Sequence, residues 1–204
     1  MLGLPRGGVP VAAEVARALD APLDVLVVRK VGVPGRSEVA MGAVGEGGVT
    51  VRNGDVLRAV GIGGSEFDAA AARERREVEA RVTRFREGRP PTWPRHVAAP
   101  LAGRTAIVVD DGIATGATAR VACRIARALG AARVVLAVPV APPDALRRLR
   151  AADGADEVVA LLTPHGFMAV GMHFVDFRQT PDDEVVALLR EAADRRAGDG
   201  SEAD

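Results

Sequence analysis

Apolar and polar residues follow two rhythms along the chain, and the places where the rhythm changes mark its elements. Val11, Ala12, Val15, Ala16 and Leu19 recur at helical spacing, which predicts a helix over 9–19. Ahead of it, Leu2-Gly3-Leu4 reads as a strand stub and Pro5-Arg6-Gly7-Gly8 as a turn. Residues 24–29 form a near-continuous β-branched run, the pattern of a parallel strand buried on both faces. Gly32, Pro34, Gly35 and Ser37 predict a mobile loop over 31–38, followed by short strands at 39–44 and 49–52 around Gly45-Glu46-Gly47-Gly48. Asn53 or Asp55 can cap a short helix ending near Val60. A charged helix follows over 65–86, with Arg and Glu at three- and four-residue spacing and a capping start at Ser65 and Asp68. Residues 88–100 hold four prolines and Trp93 and read as a linker. Beyond it come a strand at 105–109, a helix at 115–129 stopped by Gly130, and a strand at 133–138. A helix at 142–152, a strand at 157–162, an irregular stretch at 163–178 and a helix at 182–196 complete the pattern, and the polar residues 197–204 are expected to be disordered.

Strand and helix alternate, which implies an α/β domain over 1–196 with an open, mainly parallel sheet and helices on both faces. Ligands of such sheets sit outside the carboxyl ends of the strands. The residues to watch are therefore Pro5–Gly8, Arg29–Lys30, 110–118 and 163–177. Composition agrees with a globular fold: 48% of the 204 residues are hydrophobic and 26% charged. The 27 basic and 27 acidic side chains cancel, which argues against non-specific nucleic-acid binding. No apolar run reaches the ~18 residues of a membrane span. Residues 1–6 lack the basic and apolar regions of a signal peptide, and Cys123 is the single cysteine, so a cytoplasmic protein is expected. Among the 27 basic residues only Lys30 is lysine, a hint that arginine does not serve there.

Residues 106–118 carry the chemistry: Ala-Ile-Val-Val-Asp-Asp-Gly-Ile-Ala-Thr-Gly-Ala-Thr. A buried strand delivers Asp110 and Asp111 to the sheet edge, and a loop with Gly112 and Gly116 then enters a helix. The free N–H groups of a helix start bind phosphate, and the hydroxyls of Thr115 and Thr118 add donors. Carboxylates beside a phosphate cradle make sense for a sugar phosphate, whose hydroxyls they accept from, or for Mg²⁺ held through water. The plain alternative is an acidic N-cap after a strand. The stretch is neither a Walker loop nor a dinucleotide fingerprint, because the lysine and the glycine spacing are missing.

This stretch closely resembles the phosphoribosyl-pyrophosphate (PRPP) signature of type I phosphoribosyltransferases: four apolar residues, two acids, and a small-residue loop ending Thr-Gly-x-Thr. Gly112 stands where the family usually has a larger residue. The likeness extends from Gly3 to about Val186 and is closest to a loosely characterised bacterial branch with Leu-Pro-Arg-Gly-Gly near the start. It implies that Asp110 and Asp111 contact the ribose hydroxyls and hold Mg²⁺ through water or PRPP, and that Ala114, Thr115, Gly116, Ala117 and Thr118 bind the 5′-phosphate. Arg6, Gly7 and Gly8 resemble the family's pyrophosphate loop, in which two glycines admit an anion to the backbone and Arg6 grips it. Arg29 and Lys30 end a strand on the same edge, and 31–48 resembles the family's flexible loop, which closes over PRPP; otherwise the pair is an ordinary strand-end charge. Lys30 would offer a mobile charge to leaving pyrophosphate.

The resemblance makes 163–177 the hood over the acceptor. Phe167 to Gly171 and Asp176 resemble the base-binding segment of purine phosphoribosyltransferases, with Phe167 or Met168 in the stacking place, Val170 beside it and Asp176 following; the alternative is a satellite hydrophobic cluster under a loop. The inserted helix over 65–87 reads as a solvated cover or a homodimer face. His96, His165 and His173 read as surface or structural residues, Cys123 as a small core residue and Trp93 as packing for the linker. The implied function is Mg²⁺-dependent transfer of the phosphoribosyl group from PRPP to a small-molecule nitrogen acceptor such as a nucleobase. The alternatives are a non-catalytic PRPP-sensing regulator and a different sugar-phosphate enzyme on the same fold. Intact Arg6-Gly7-Gly8, Lys30 and a glycine-rich loop favour the enzyme. The first strand has only four residues before its turn, so the natural start is expected upstream, or a partner subunit covers the gap.

Overall fold

The structure, a computed structural model, describes residues 1–87, 101–151 and 154–199. The predicted linker, with Trp93 and His96, lies outside the described residues. Five strands, all parallel, make the main sheet: β1 (Leu2–Gly3), β2 (Asp24–Val25), β6 (Thr105–Val109), β7 (Arg133–Val140) and β8 (Glu157–Leu162). Their order is β2-β1-β6-β7-β8, so β1 is flanked on both sides and the order reverses between β1 and β6. Leu2 pairs with Asp24 on one side and Val108 on the other. The alternation in β6 sends Ala106 and Val108 into one core and Val109 into the other. Helices α1 (Gly8–Ala18) and α6 (Asp182–Asp199) supply Val9, Ala12, Val185 and Leu189 to the first core, and α4 (Ala117–Ala128) and α5 (Pro143–Ala151) supply Ile125, Leu146 and Leu149 to the second. This is the expected sheet with helices on both faces. Helix α6 runs three residues past its expected end at 196.

The run at 24–29 is not one strand. The chain leaves the main sheet after Val25 and starts a second, antiparallel sheet with β3 (Val28–Val33), β4 (Arg36–Gly45) and β5 (Thr50–Arg52). The loop expected over 31–38 is therefore corrected to the end of β3, a turn at Pro34-Gly35, and the start of β4, with Val33 paired to Arg36. The glycines and proline that suggested a loop serve this turn, while Val31, Val33, Met41 and Val44 are buried in the first core. Asn53 caps the short α2 (Gly54–Val60), its side chain accepting from the Val56 N–H at 3.4 Å.

Helix α3 (Gly64–Phe85) begins on Gly63, with no capping side chain at Ser65. It is more than a solvated cover: Phe67, Ala70, Ala71, Val78, Val82 and Phe85 are buried in the first core, while its arginines and glutamates ride the outer face. Just past its end, Arg86 is 2% exposed and binds two buried carboxylates. Its Nη2 donates to Glu46 Oε2 at 2.7 Å and to Asp24 Oδ2 at 3.2 Å. Glu46 Oε1 accepts from the Val27 N–H at 3.0 Å, so the triad fastens the end of α3 to the point where the chain changes sheets. Buried charges are tolerable only when paired in this way. The Met1 ammonium donates to the Pro22 carbonyl oxygen at 2.7 Å. No helix among the described residues is long and apolar enough to cross a membrane.

Candidate active site

The carboxyl ends of β1 and β6 lie side by side, and the turns leaving them meet. Leu4 donates its N–H to the Val109 carbonyl oxygen at 2.8 Å, which brings Arg6-Gly7-Gly8 against Asp110-Asp111. The approach is close enough to require glycine. A β-carbon on Gly7 would lie 2.0 Å from Asp111 Oδ2, and one on Gly8 would lie 2.6 Å from the Val109 carbonyl oxygen. The peptide between Pro5 and Arg6 is cis. The two motifs, a hundred residues apart, thus form one surface.

A cavity of about 480 Å³ opens on it. It is lined by Arg6, Gly7 and Asp111 of the two motifs, by Pro10 and Val11 of α1, and by Phe174, Asp176, Phe177, Arg178, Gln179 and Thr180. The rings of Phe174 and Phe177 lie 5.1 Å apart, tilted by 41°. Of the four residues expected at the acceptor, the cavity includes Asp176 alone. Phe167 instead stacks on His173, with centroids 5.8 Å apart, and Met168 is 79% exposed. Val170 packs against Gly112. The cause is a turn of 3₁₀ helix at Val170–His173, which carries Phe167 and Met168 away and brings Phe174 and Phe177 in. The signal available in the sequence was the second aromatic pair, Phe174 and Phe177, bracketing Asp176 just before Pro181.

The two acids are not equivalent. Asp111 lines the cavity, whereas Asp110 turns back and accepts its neighbour's N–H through Oδ1 at 3.0 Å. Burial, then the charge of Asp111, pushes the Asp110 carboxyl up to about 7. Burial also holds Asp111 above the usual carboxylate range. Gly116, in the left-handed region at φ 78°, caps α4 and turns the chain into the helix, where Thr115 Oγ1 accepts from the Ala117 N–H at 3.5 Å. The first N–H groups of α4 have no helical partner, the local geometry at a helix start that suits an anion.

Lys30 lies near the start of α4 rather than beside Arg6. It shares a second cavity, of about 270 Å³, with Val28, Arg29, Thr118 and Val121. Arg29 is engaged elsewhere, donating from Nε to Glu74 of α3 at 2.5 Å. Cys123 is buried in the second core, as expected of a small core residue, and burial pushes its thiol up to about 12. Among the described residues, no three His, Cys, Asp or Glu side chains converge as a metal cage. A carboxylate pair fits instead the mode in which Mg²⁺ keeps its waters and binds one or two carboxylates together with substrate phosphates.

The family model of the phosphoribosyl transferase domain matches residues 1–160, which include both motifs. The chain belongs to the phosphoribosyl transferase domain family. Two Mycobacterium tuberculosis proteins, from strains CDC 1551 and H37Rv and provisionally named phosphoribosyl transferases, are each 55% identical to it over 192 residues. That is 94% of this chain and 41% of each relative, so the chain spans about two fifths of the length of the curated relatives it matches. The crystal structure of TT1426 from Thermus thermophilus is 47% identical, with a TM-score of 0.82, over 94% of this chain and 86% of that one. The phosphoribosyl transferase domain thus places the Arg6 and Asp111 motifs on one sheet edge; both motifs line one cavity, and Lys30 and Thr118 line another.

Proposed function

We propose that this phosphoribosyl transferase domain moves the 5-phosphoribosyl group of PRPP to a nitrogen acceptor, a nucleobase or similar planar ring, and releases pyrophosphate. The observation that carries this reading is the contact of Asp111 with Gly7, which joins a carboxylate for ribose hydroxyls to an arginine-glycine turn for pyrophosphate. PRPP would lie across the β1–β6 edge, its 5′-phosphate on 114–118 and its ribose over Asp110 and Asp111. Lys30, beside Thr118, is assigned to phosphate on the cradle side, and Arg6 to the pyrophosphate. The acceptor would enter the cavity against the Phe174–Phe177 pair, with Asp176 and Gln179 along its polar rim.

The acceptor nitrogen's electron pair forms the new bond to the anomeric carbon, and the pair of the broken carbon–oxygen bond leaves with pyrophosphate. No side-chain nucleophile is required. Holding the reactants in line and stabilising the departing charge supply the rate enhancement. Asp110 and Asp111 would hold Mg²⁺ through water or substrate, which would supply positive charge to the phosphates. The hairpin of β3 and β4, which carries Lys30, is the element assigned to covering PRPP. The cytoplasm is the proposed setting, consistent with a single buried, unpaired cysteine.

The test is pyrophosphate release from Mg-PRPP by the purified chain with a panel of nucleobases and other planar nitrogen acceptors. Acceptor-dependent release, lost in Asp110→Asn/Asp111→Asn, supports the reading. PRPP binding without release by any acceptor would favour a PRPP-sensing role, and absence of PRPP binding would end both.

A further inference from the structure

The first turn of α6 carries three consecutive acids, and each holds an arginine from a different part of the fold. Pro181 opens the helix, its carbonyl oxygen accepting from the Val185 N–H at 3.3 Å. Asp182 Oδ1 then accepts from Arg6 Nη1 at 3.4 Å, Asp183 pairs with Arg84 of α3, and Glu184 Oε2 accepts from Arg178 Nη1 at 2.8 Å. Arg6 and Arg178 are the two arginines that line the 480 Å³ cavity. Both therefore face that cavity while bound to carboxylates of one helix turn. Arg84 is not part of the cavity lining.

Carboxylates are favoured at a helix N-terminus, where the backbone N–H groups and the dipole stabilise negative charge. Asp182 and Glu184 are thus fixed anions, set where a pyrophosphate would need the same guanidinium groups. The Arg6–Asp182 pair is long and partly exposed, at 33% and 45% of the respective side chains. Such pairs contribute little and exchange readily. An incoming phosphate offers Arg6 a stronger, forked partner.

We infer that Asp182 is a positioning residue that holds Arg6 over the cavity and competes with the anionic substrate for it, with Glu184 doing the same for Arg178. The inference rests on the proposed function, since it takes the cavity's anion to be pyrophosphate. Asp182 thereby keeps Arg6 ordered without ligand and lowers the affinity for the product that must leave. Asp183 has the same charge one residue along, but its partner lies outside the cavity, so it is the internal control.

The experiment is calorimetric titration of the full chain with pyrophosphate in the presence of Mg²⁺. Asp182→Asn keeps the size of the side chain and should bind about two- to fivefold tighter, the range set by an exposed ion pair. Asp183→Asn should match the wild type, and Asp182→Glu should return to wild-type affinity. Unchanged or weaker binding by Asp182→Asn overturns the inference, as does equal tightening by Asp183→Asn, which would mean general electrostatics. If the wild-type chain binds neither pyrophosphate nor PRPP, the proposed function fails and the inference fails with it. If the wild type binds and only the Asp182→Asn difference is missing, the inference alone fails.

Discussion

Replacing Asp110 by asparagine should make the free protein more stable at neutral and alkaline pH, although it removes a residue assigned to the ligand. Burial and the neighbouring Asp111 raise the Asp110 carboxyl from 3.8 to about 7. A carboxyl raised in the folded state binds its proton more tightly there than in the unfolded chain. Its contribution to stability is therefore fully present below the unfolded value near 3.8 and is lost as the pH rises through about 7. The shift is about three units, and at 1.36 kcal/mol per unit the total is roughly 4 kcal/mol. Between pH 5 and 8 the wild type should lose about 3 kcal/mol relative to Asp110→Asn. Urea unfolding of both proteins at half-unit pH steps measures this, because titrations common to both cancel in the difference. The variant retains only the share of Asp111, which burial also raises. Parallel stability curves for the two proteins over pH 5–8 would refute the reasoning. The same linkage predicts that Mg-PRPP binding near pH 6, by ionising Asp110, releases a proton, visible as a calorimetric heat that depends on the buffer.

Gly7→Ala and Gly8→Ala should separate function from folding. The first places a β-carbon on the Asp111 carboxylate, which can rotate away, so PRPP binding is lost with about 1–3 kcal/mol of stability; the second meets backbone and should lower the unfolding midpoint further, as chemical denaturation of the pair would report. Phe174→Ala should raise the acceptor KM at least about fivefold while Phe167→Ala leaves it within about twofold, a ranking set by which ring lines the cavity and by a stacking contribution of about 1–3 kcal/mol. Arg86→Met removes the cation shared by the buried carboxylates of Asp24 and Glu46 and should cost about 3–5 kcal/mol in thermal or denaturant unfolding. Lys30→Ala should weaken PRPP affinity more than it lowers turnover, because Lys30 is assigned to phosphate beside Thr118; unchanged PRPP binding in calorimetry would leave Lys30 a simple strand-end charge.

The part of this protein that could be read from its sequence is the part governed by neighbours along the chain. The bounds of β6 and β8 follow from short apolar runs between polar residues, and the turn from β6 into α4 follows from a strand, two acids and a glycine turn in immediate succession. The alternation of strands and helices led to the parallel sheet because a parallel crossover has few other ways to close. What the tertiary structure decided depends on partners far away in sequence. A β-branched run looks the same whether it stays in one sheet or changes sheets at Leu26 and Val27, and the change is held by Arg86, some sixty residues on. The buried face of α3 is an apolar stripe at helical spacing, Phe67, Ala70, Ala71, Val78, Val82 and Phe85, set among more numerous arginines and glutamates, the composition of a solvated helix; packing on the β3–β4 hairpin and α6 makes the stripe part of the core. Which aromatic residues of 163–178 enter the cavity was settled by one turn of 3₁₀ helix. A residue's type says what it can bind, but which way it faces is set by the packing around it.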